Sequence, residues 1–269
     1  MPRQMKSIMA ELPQPESLDF REIARSYRSG DIDIIVVLGP TASGKTRYAV
    51  ALAREIGDAE IISADSRQVY RGMDIGTGKD LAEYGEIPYH VIDVADAGEK
   101  YNVWRFQQDF IEAYRSIRSR GKVAVLCGGT GLYINAVTAG YDFNSSKPLS
   151  SGGDAYGERP EGLPSKPYFI GTLVSRDVRN ARIDARLDAR IKEGMVEEIR
   201  GLLDSGVPSE ILIAYGLEYK FVTQYILGEL SLEEMKEKLA TAIHQFAKRQ
   251  MTWFRGMERA GCVIHWVTV

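Results

Sequence analysis

Six short runs of apolar and β-branched residues, almost uninterrupted by polar ones, punctuate the chain at 32–38, 60–64, 89–94, 122–127, 168–174 and 262–267. A half-exposed strand alternates apolar and polar side chains, whereas a strand covered on both faces reads as a continuous apolar run. These six are therefore expected to be the buried strands of a mostly parallel sheet. Longer segments between several of them carry apolar residues every three or four positions, the period of a helix with one buried face. The clearest is 176–206, where Ile183, Leu187, Ile191, Met195, Ile199 and Leu202 keep that spacing, and one helix ending at Gly206 is expected there. A short helical lead precedes the first strand, with Ser17 placed to cap it and Gly30 to close it, and the last helix opens on a capping box from Ser231 to Glu234. Strands alternating with helices define an α/β chain with helices on both faces of the sheet and further helices at the C-terminus.

Residues 141–167 break the pattern, being dense in Gly, Ser and Pro with too few large apolar side chains to make a core, and they read as a flexible linker. The expected organisation is a helical lead at 1–31, an α/β core at 32–140, the linker at 141–167, and the rest of the core with long C-terminal helices at 168–269. Composition narrows the class of partner. A formal net charge of −3 gives no global pull toward nucleic acid, so any such contact has to come from a local basic patch. The two cysteines, Cys127 and Cys262, form no C-x-x-C pair and read as buried thiols, which excludes a zinc module or disulfide framework. No apolar run approaches the ~20 residues of a membrane span, and the N-terminal stretch lacks the apolar core of a secretion signal, so a cytoplasmic protein with no membrane contact is expected.

The candidate chemistry begins at 39–46, "GPTASGKT", which places Gly39, Gly44, Lys45 and Thr46 in the spacing G-x-x-x-x-G-K-[ST] between an apolar strand and an amphipathic helix. Backbone amides at the helix start, the Lys45 ammonium and the Thr46 hydroxyl, a magnesium ligand, together make a cradle for a diphosphate or triphosphate. A glycine-rich turn without a ligand is the competing reading. The sheet is thus expected to be of the P-loop NTPase-like kind. The loop leaves open whether its phosphate is transferred or leaves. Asp93 is either a metal partner or a strand-end carboxylate that caps a loop. Asp65 ends the strand after the loop's helix, on the edge where ligands of doubly wound sheets sit, and alone it reads as a turn former.

The surrounding residues give Asp65 more weight. "GPTASGKT" followed by "DSRQVYRGMDIGT", then "GGTGLYINAV", "ARIDARLDARIKEGMVEEI", "YKFVTQYILGELSLEE" and "FAKRQMTWFR", resemble in order the blocks of the tRNA dimethylallyltransferases, also called tRNA isopentenyltransferases. The resemblance implies that Gly39, Pro40, Thr41, Ala42, Ser43, Gly44, Lys45 and Thr46 hold the diphosphate of dimethylallyl diphosphate with Mg2+, and that the prenyl group moves to the exocyclic amine of an anticodon-loop adenine in tRNA. It implies Asp65 as the general base, Ser66, Arg67 and Gln68 as the border of the adenine, and Thr130 as a contact from the neighbouring strand end. Arg182 and Arg186 match the family's arginine pair and are expected on the pyrophosphate, while Arg190 is kept as part of a solvated charged face. Lys248, Arg249 and Arg255 are expected on the RNA backbone with Trp253 and Phe254 packed beneath, with core packing under surface charge as the alternative. A monomer is expected.

The chain also departs from the resemblance. The family carries a helical insertion where 141–167 stand, and its glycine before the Y-K pair is Glu218 here. These changes leave the diphosphate cradle intact and bear on the acceptor. An adenylate isopentenyltransferase using free AMP, ADP or ATP, a small P-loop kinase, and a non-enzymatic nucleotide or RNA binder remain as competing functions.

Overall fold

In the computed structural model, residues 13–140 and 160–269 are described. Six strands, β1 (Ile34–Leu38), β2 (Ala59–Ser63), β3 (Tyr89–His90), β4 (Val123–Gly128), β5 (Pro167–Leu173) and β6 (Ile264–Thr268), form one sheet in the order β3-β2-β4-β1-β5-β6. Every named pairing is parallel. All five residues of β1 are fully buried, yet their side chains divide by the period of two: Ile34, Val36 and Leu38 enter one core and Ile35 and Val37 the other.

The second core is closed by α1 (Phe20–Ser29) and α2 (Lys45–Ile56). The first core is larger. It is closed by α3 (Val103–Ser119), α4 (Gly131–Asn135) and the C-terminal set α5 (Arg176–Glu193), α6 (Met195–Asp204), α7 (Ser209–Tyr215), α8 (Leu217–Ile226) and α9 (Leu232–Arg259). No helix among the described residues is long and apolar enough to cross a membrane.

Several boundaries move from those expected. Asp19, not Ser17, caps α1, its carboxylate accepting from the Arg21 amide. The third strand stops at His90 because Val91 and Asp93 lie at φ 62° and 57°, left-handed values that end a ladder. The helix expected over 176–206 is two helices, since Gly194 at φ 107° ends α5 and starts α6, a break that the unbroken apolar period conceals. The capping box is present, with Ser231 and Glu234 each bonded to the other's backbone. Cys127 is buried and Cys262 half-buried. Most of the linker lies outside the described residues; its end at 160–167 leads into β5.

Candidate functional site

The C-terminal ends of β1, β2 and β4 converge on a cavity of about 830 Å3. Strand order reverses at β1, whose neighbours are β4 and β5, so the cavity sits at the switch point where parallel sheets bind ligands. The loop from β1 enters α2 through Gly44, whose φ of 83° is a left-handed value that suits glycine. The first amides of α2 lack intrahelical acceptors and, with the positive end of the helix dipole, present an attractive end for an anion.

Not all of 39–46 faces the cavity. Thr41, Ala42, Gly44, Lys45 and Thr46 line it, whereas Gly39, Pro40 and Ser43 are buried beneath it. Ser43 donates its amide to the Pro40 carbonyl at 3.2 Å and shares a hydrogen bond of 2.6 Å with the Thr172 hydroxyl on β5, so its polar groups brace the loop from behind. The Thr41 amide donates to Gln250 Oε1 at 2.8 Å, and Gln250 Nε2 donates to the Gly129 carbonyl at 2.9 Å. One buried side chain of α9 thereby ties the phosphate loop to the loop after β4. Sequence reasoning gave Gln250 no role, although it stands in the quoted "AKRQ" block.

Asp65 follows β2, and its Oδ1 accepts the Arg67 amide at 2.9 Å. Thr130 Oγ1 accepts the Ser66 amide at 3.2 Å, while the Thr130 amide donates to the Ala64 carbonyl at 3.2 Å. These bonds join Asp65, Ser66 and Thr130 into one wall. Arg67 and Gln68 also line the cavity, but Gln68 is held at both ends, donating to the Gly78 carbonyl and accepting from the Ser63 hydroxyl.

Opposite stands the arginine stripe of α5. Arg182 is exposed at the mouth, Arg186 is half-buried and Arg190 is buried at 8% exposure, and all three line the cavity. The solvated face expected for Arg190 is therefore wrong: its guanidinium packs against Gly78, where an added Cβ would lie 1.6 Å from Nη2, and Nη1 is 3.9 Å from Glu218 Oε1. Burial and the neighbouring Arg190 push the Arg186 guanidinium down to about 10. Burial likewise pulls the Lys45 ammonium below its usual range, with Asp65 opposing and Arg186 reinforcing the shift. A cavity that destabilises its own cations in this way gains from an arriving anion.

Other expected residues fall elsewhere. Asp93 pairs with the buried Lys79, which also reaches Asp74 at 2.8 Å, so this carboxylate is a loop anchor and not a metal partner at the cavity. Arg249 lines the rim above Phe246, while Lys248 is exposed on α9 and not on the cavity wall. Phe254 is fully buried, Trp253 is exposed at 41% on the cavity wall, and Arg255 pairs with Glu258 at 2.9 Å. For a metal, the described residues offer no cluster of three or more His, Cys, Asp or Glu side chains. Thr46 lines the cavity, and β4 ends at Cys127 and Gly128 with no acid; the thiol is pushed up to about 12 by burial. This fits a magnesium ion held by Thr46 together with phosphate oxygens and water, as that ion commonly is.

Fold and site define an α/β protein of the P-loop NTPase-like kind, with a cationic cavity at its strand ends that also carries a carboxylate. A family model described as IPP transferase matches residues 68–159 and 145–257, and another described as Isopentenyl transferase matches 32–86. The chain belongs to the tRNA dimethylallyltransferase family. It is 49% identical to tRNA dimethylallyltransferase 1 of Porphyromonas gingivalis over 87% of this chain and 93% of that one, and 46% identical to tRNA dimethylallyltransferase 2 of Bacteroides fragilis over 88% and 93%. Among solved structures, the tRNA isopentenylpyrophosphate transferase of Bacillus halodurans superposes with a TM-score of 0.74 at 30% identity, covering 87% of this chain and 89% of that one. A eukaryotic dimethylallyltransferase acting on tRNA, at 22% identity and TM-score 0.70 over 87% of this chain and 74% of its own, shares the fold. The Porphyromonas alignment spans 282 positions but 87% of 269 residues, about 234, so about 48 of its positions face no residue here.

Proposed function

We propose that this protein transfers the dimethylallyl group of dimethylallyl diphosphate to the exocyclic amine of an anticodon-loop adenine in tRNA, releasing pyrophosphate. The observation that carries this reading is the placing of Asp65 on the same cavity as Lys45, the α2 N-terminus and Arg186, in a chain of this family. The acceptor follows from the names of the close relatives, which are tRNA dimethylallyltransferases. It acts in the cytoplasm as a monomer, and the reaction requires no membrane; no helix among the described residues is long and apolar enough to cross one.

The steps follow from charge. Breaking the allylic carbon–oxygen bond leaves the bonding pair on pyrophosphate and cation character on the prenyl carbon, so donors aimed at the leaving oxygens lower the barrier. Lys45, the amides of Gly44, Lys45 and Thr46, and Arg182 and Arg186 are those donors. Magnesium, held through Thr46, supplies further neutralisation of the leaving group when bound. The amine nitrogen forms the new carbon–nitrogen bond and loses a proton to Asp65. Arg67 binds Oδ1 through its amide, fixing the carboxylate while Oδ2 accepts the proton. Thr130 and Ser66 hold the adenine side of the wall. Asp65 acting as a positioned base contributes roughly 10²- to 10⁴-fold.

The test offers purified protein labelled dimethylallyl diphosphate and magnesium with unmodified tRNA or with AMP. Label in the tRNA is the expected result. Label in AMP alone would replace the acceptor with free adenylate, and ATP hydrolysis without transfer to either would overturn the reading.

A further inference from the structure

Among the described ion pairs, Glu218 is the one cavity-lining acid paired with an arginine of the α5 stripe, and the transfer chemistry does not use it. It stands in the first turn of α8, entered through Gly216, with its side chain 24% exposed. Its Oε1 faces Arg190 Nη1 at 3.9 Å, and the Arg190 side chain is itself only 10% exposed. The next arginine along the stripe, Arg186, is in none of the described ion pairs, although Glu218, Asp80 and Asp65 all act on its charge, and it stands one helical turn nearer the Lys45 end.

From this geometry we infer that Glu218 is a built-in anion that occupies Arg190 and so limits how tightly the cavity holds pyrophosphate. The proposal rests on the cavity being the diphosphate site. A P-loop facing three unopposed arginines would trap its own product and bind competing polyphosphates, since each guanidinium in a desolvated wall adds a charge-assisted contact. Glu218 opposes Arg190 first and Arg186 second, so Arg182 and Arg186 keep more of their charge for the leaving group while Arg190 rests against Gly78. Burial, with Asp65 adding to it, holds the Glu218 carboxyl above its usual range against the pull of Arg190 and Arg186, so the charge on this acid depends on those two guanidiniums. Glu218 is thus a specificity-determining, positioning residue that acts through Arg190.

The test is direct calorimetric binding of inorganic pyrophosphate to the full chain and to three variants, alongside transfer kinetics. E218Q is expected to bind pyrophosphate about tenfold more tightly, with kcat falling as product leaves more slowly and the donor KM falling with it. E218D, which keeps the charge on a shorter stem, is expected to lie between E218Q and the parent. In the E218Q background, adding R190Q is expected to remove the gain. Unchanged or weaker pyrophosphate binding in E218Q with an unaltered melting temperature would overturn the proposal, as would a gain that survives R190Q. Should E218Q fail to fold, E218D read against the parent decides by the same direction of change. Because the binding arm needs no acceptor, absence of prenyl transfer in the parent would sink the proposed reaction and leave this inference standing or falling on its own measurement.

Discussion

Replacing Gln250 by methionine isolates the contribution of the clamp between the two phosphate-side loops. The side chain is 8% exposed, and methionine matches its length without either polar atom. The substitution strands the Thr41 amide and the Gly129 carbonyl, which Gln250 meets at 2.8 and 2.9 Å. Thr41 is half-buried on the cavity wall, so water can take over its amide at a cost of about 1 kcal/mol, whereas Gly129 is buried and its carbonyl loses about 2 kcal/mol. The greater apolarity of methionine returns a part, leaving roughly 2 to 3 kcal/mol, which in a domain of this size is a fall in melting temperature of about 5 to 10 °C. With its amide unanchored, the loop should also hold the donor less tightly, by about tenfold in KM.

Gln250→Glu gives the sign. It keeps an acceptor for Thr41 but turns an oxygen toward the Gly129 carbonyl, which disfavours the ionised form and raises the folded-state pKa of the new acid. Protonation restores the lost donor, so the deficit of this variant should shrink as pH falls from about 8 to about 5.5. Thermal melts across that range, with pyrophosphate titrations, read both effects. A methionine variant that melts within about 1 °C of the parent and binds pyrophosphate equally would refute the clamp, as would a glutamate variant that loses ground on acidification.

Asp65→Asn should lower single-turnover transfer by roughly 10²- to 10⁴-fold while calorimetry finds pyrophosphate binding intact; loss of binding instead would deny Asp65 the role of base. Gly78→Ala puts a Cβ 1.6 Å from Arg190 Nη2 at a φ of 65°, and the left-handed backbone alone costs about 1 to 2 kcal/mol, so a lower melting temperature is expected and an unchanged one would mean that Arg190 does not rest there. Burial works against the charge of Glu60, but hydrogen bonds from Lys122 and His90 and the charge of Arg120 prevail and hold its carboxyl below the ordinary 4.5. Such a depressed acid stabilises the fold above the unfolded-state value and loses that contribution as pH falls through the lower folded-state value; Glu60→Gln should therefore destabilise at neutral pH and flatten the acid limb of the melting curve.

The loop end of the cavity was legible because two independent signals coincide at 34–46, an apolar strand and a phosphate-loop spacing, and because the loop's geometry is local. What the chain conceals is long-range. Arg190 lies on the same four-residue period as Arg182 and Arg186, but nothing in that period shows that Gly78, over a hundred positions away, leaves room to bury it. Gln250 pairs with groups 209 and 121 positions distant, and a glutamine late in a helix carries no local mark of that partnership. Asp93 could not be assigned from its strand, since its partner Lys79 comes from a loop that only the fold brings beside it. The break at Gly194 is the reverse case: the residue was visible, but an apolar period continuing across it outweighed a single glycine.

The two ends of the cavity depend on different parts of the chain. β1 carries the phosphate loop and is paired on one side to β4, with Ile35 opposite Val125, and on the other to β5, with Ile35 opposite Tyr168. The strands on either side of β1 thus come from before and after 141–159, and the sheet holds the phosphate loop in register whatever length of chain joins them. The acceptor end has no such frame. The rim is Leu132 from α4 with Phe246, Arg249 and Trp253 from α9, exposed side chains that no strand pairing holds in place. The two pieces of the family-model match overlap at 145–159, and about 48 positions of the Porphyromonas relative have no counterpart in this chain. If tRNA is the acceptor, lacking those positions should act on the acceptor's grip and its salt dependence and leave the donor constants alone, because the strands that carry the phosphate loop are joined through hydrogen bonds across the sheet.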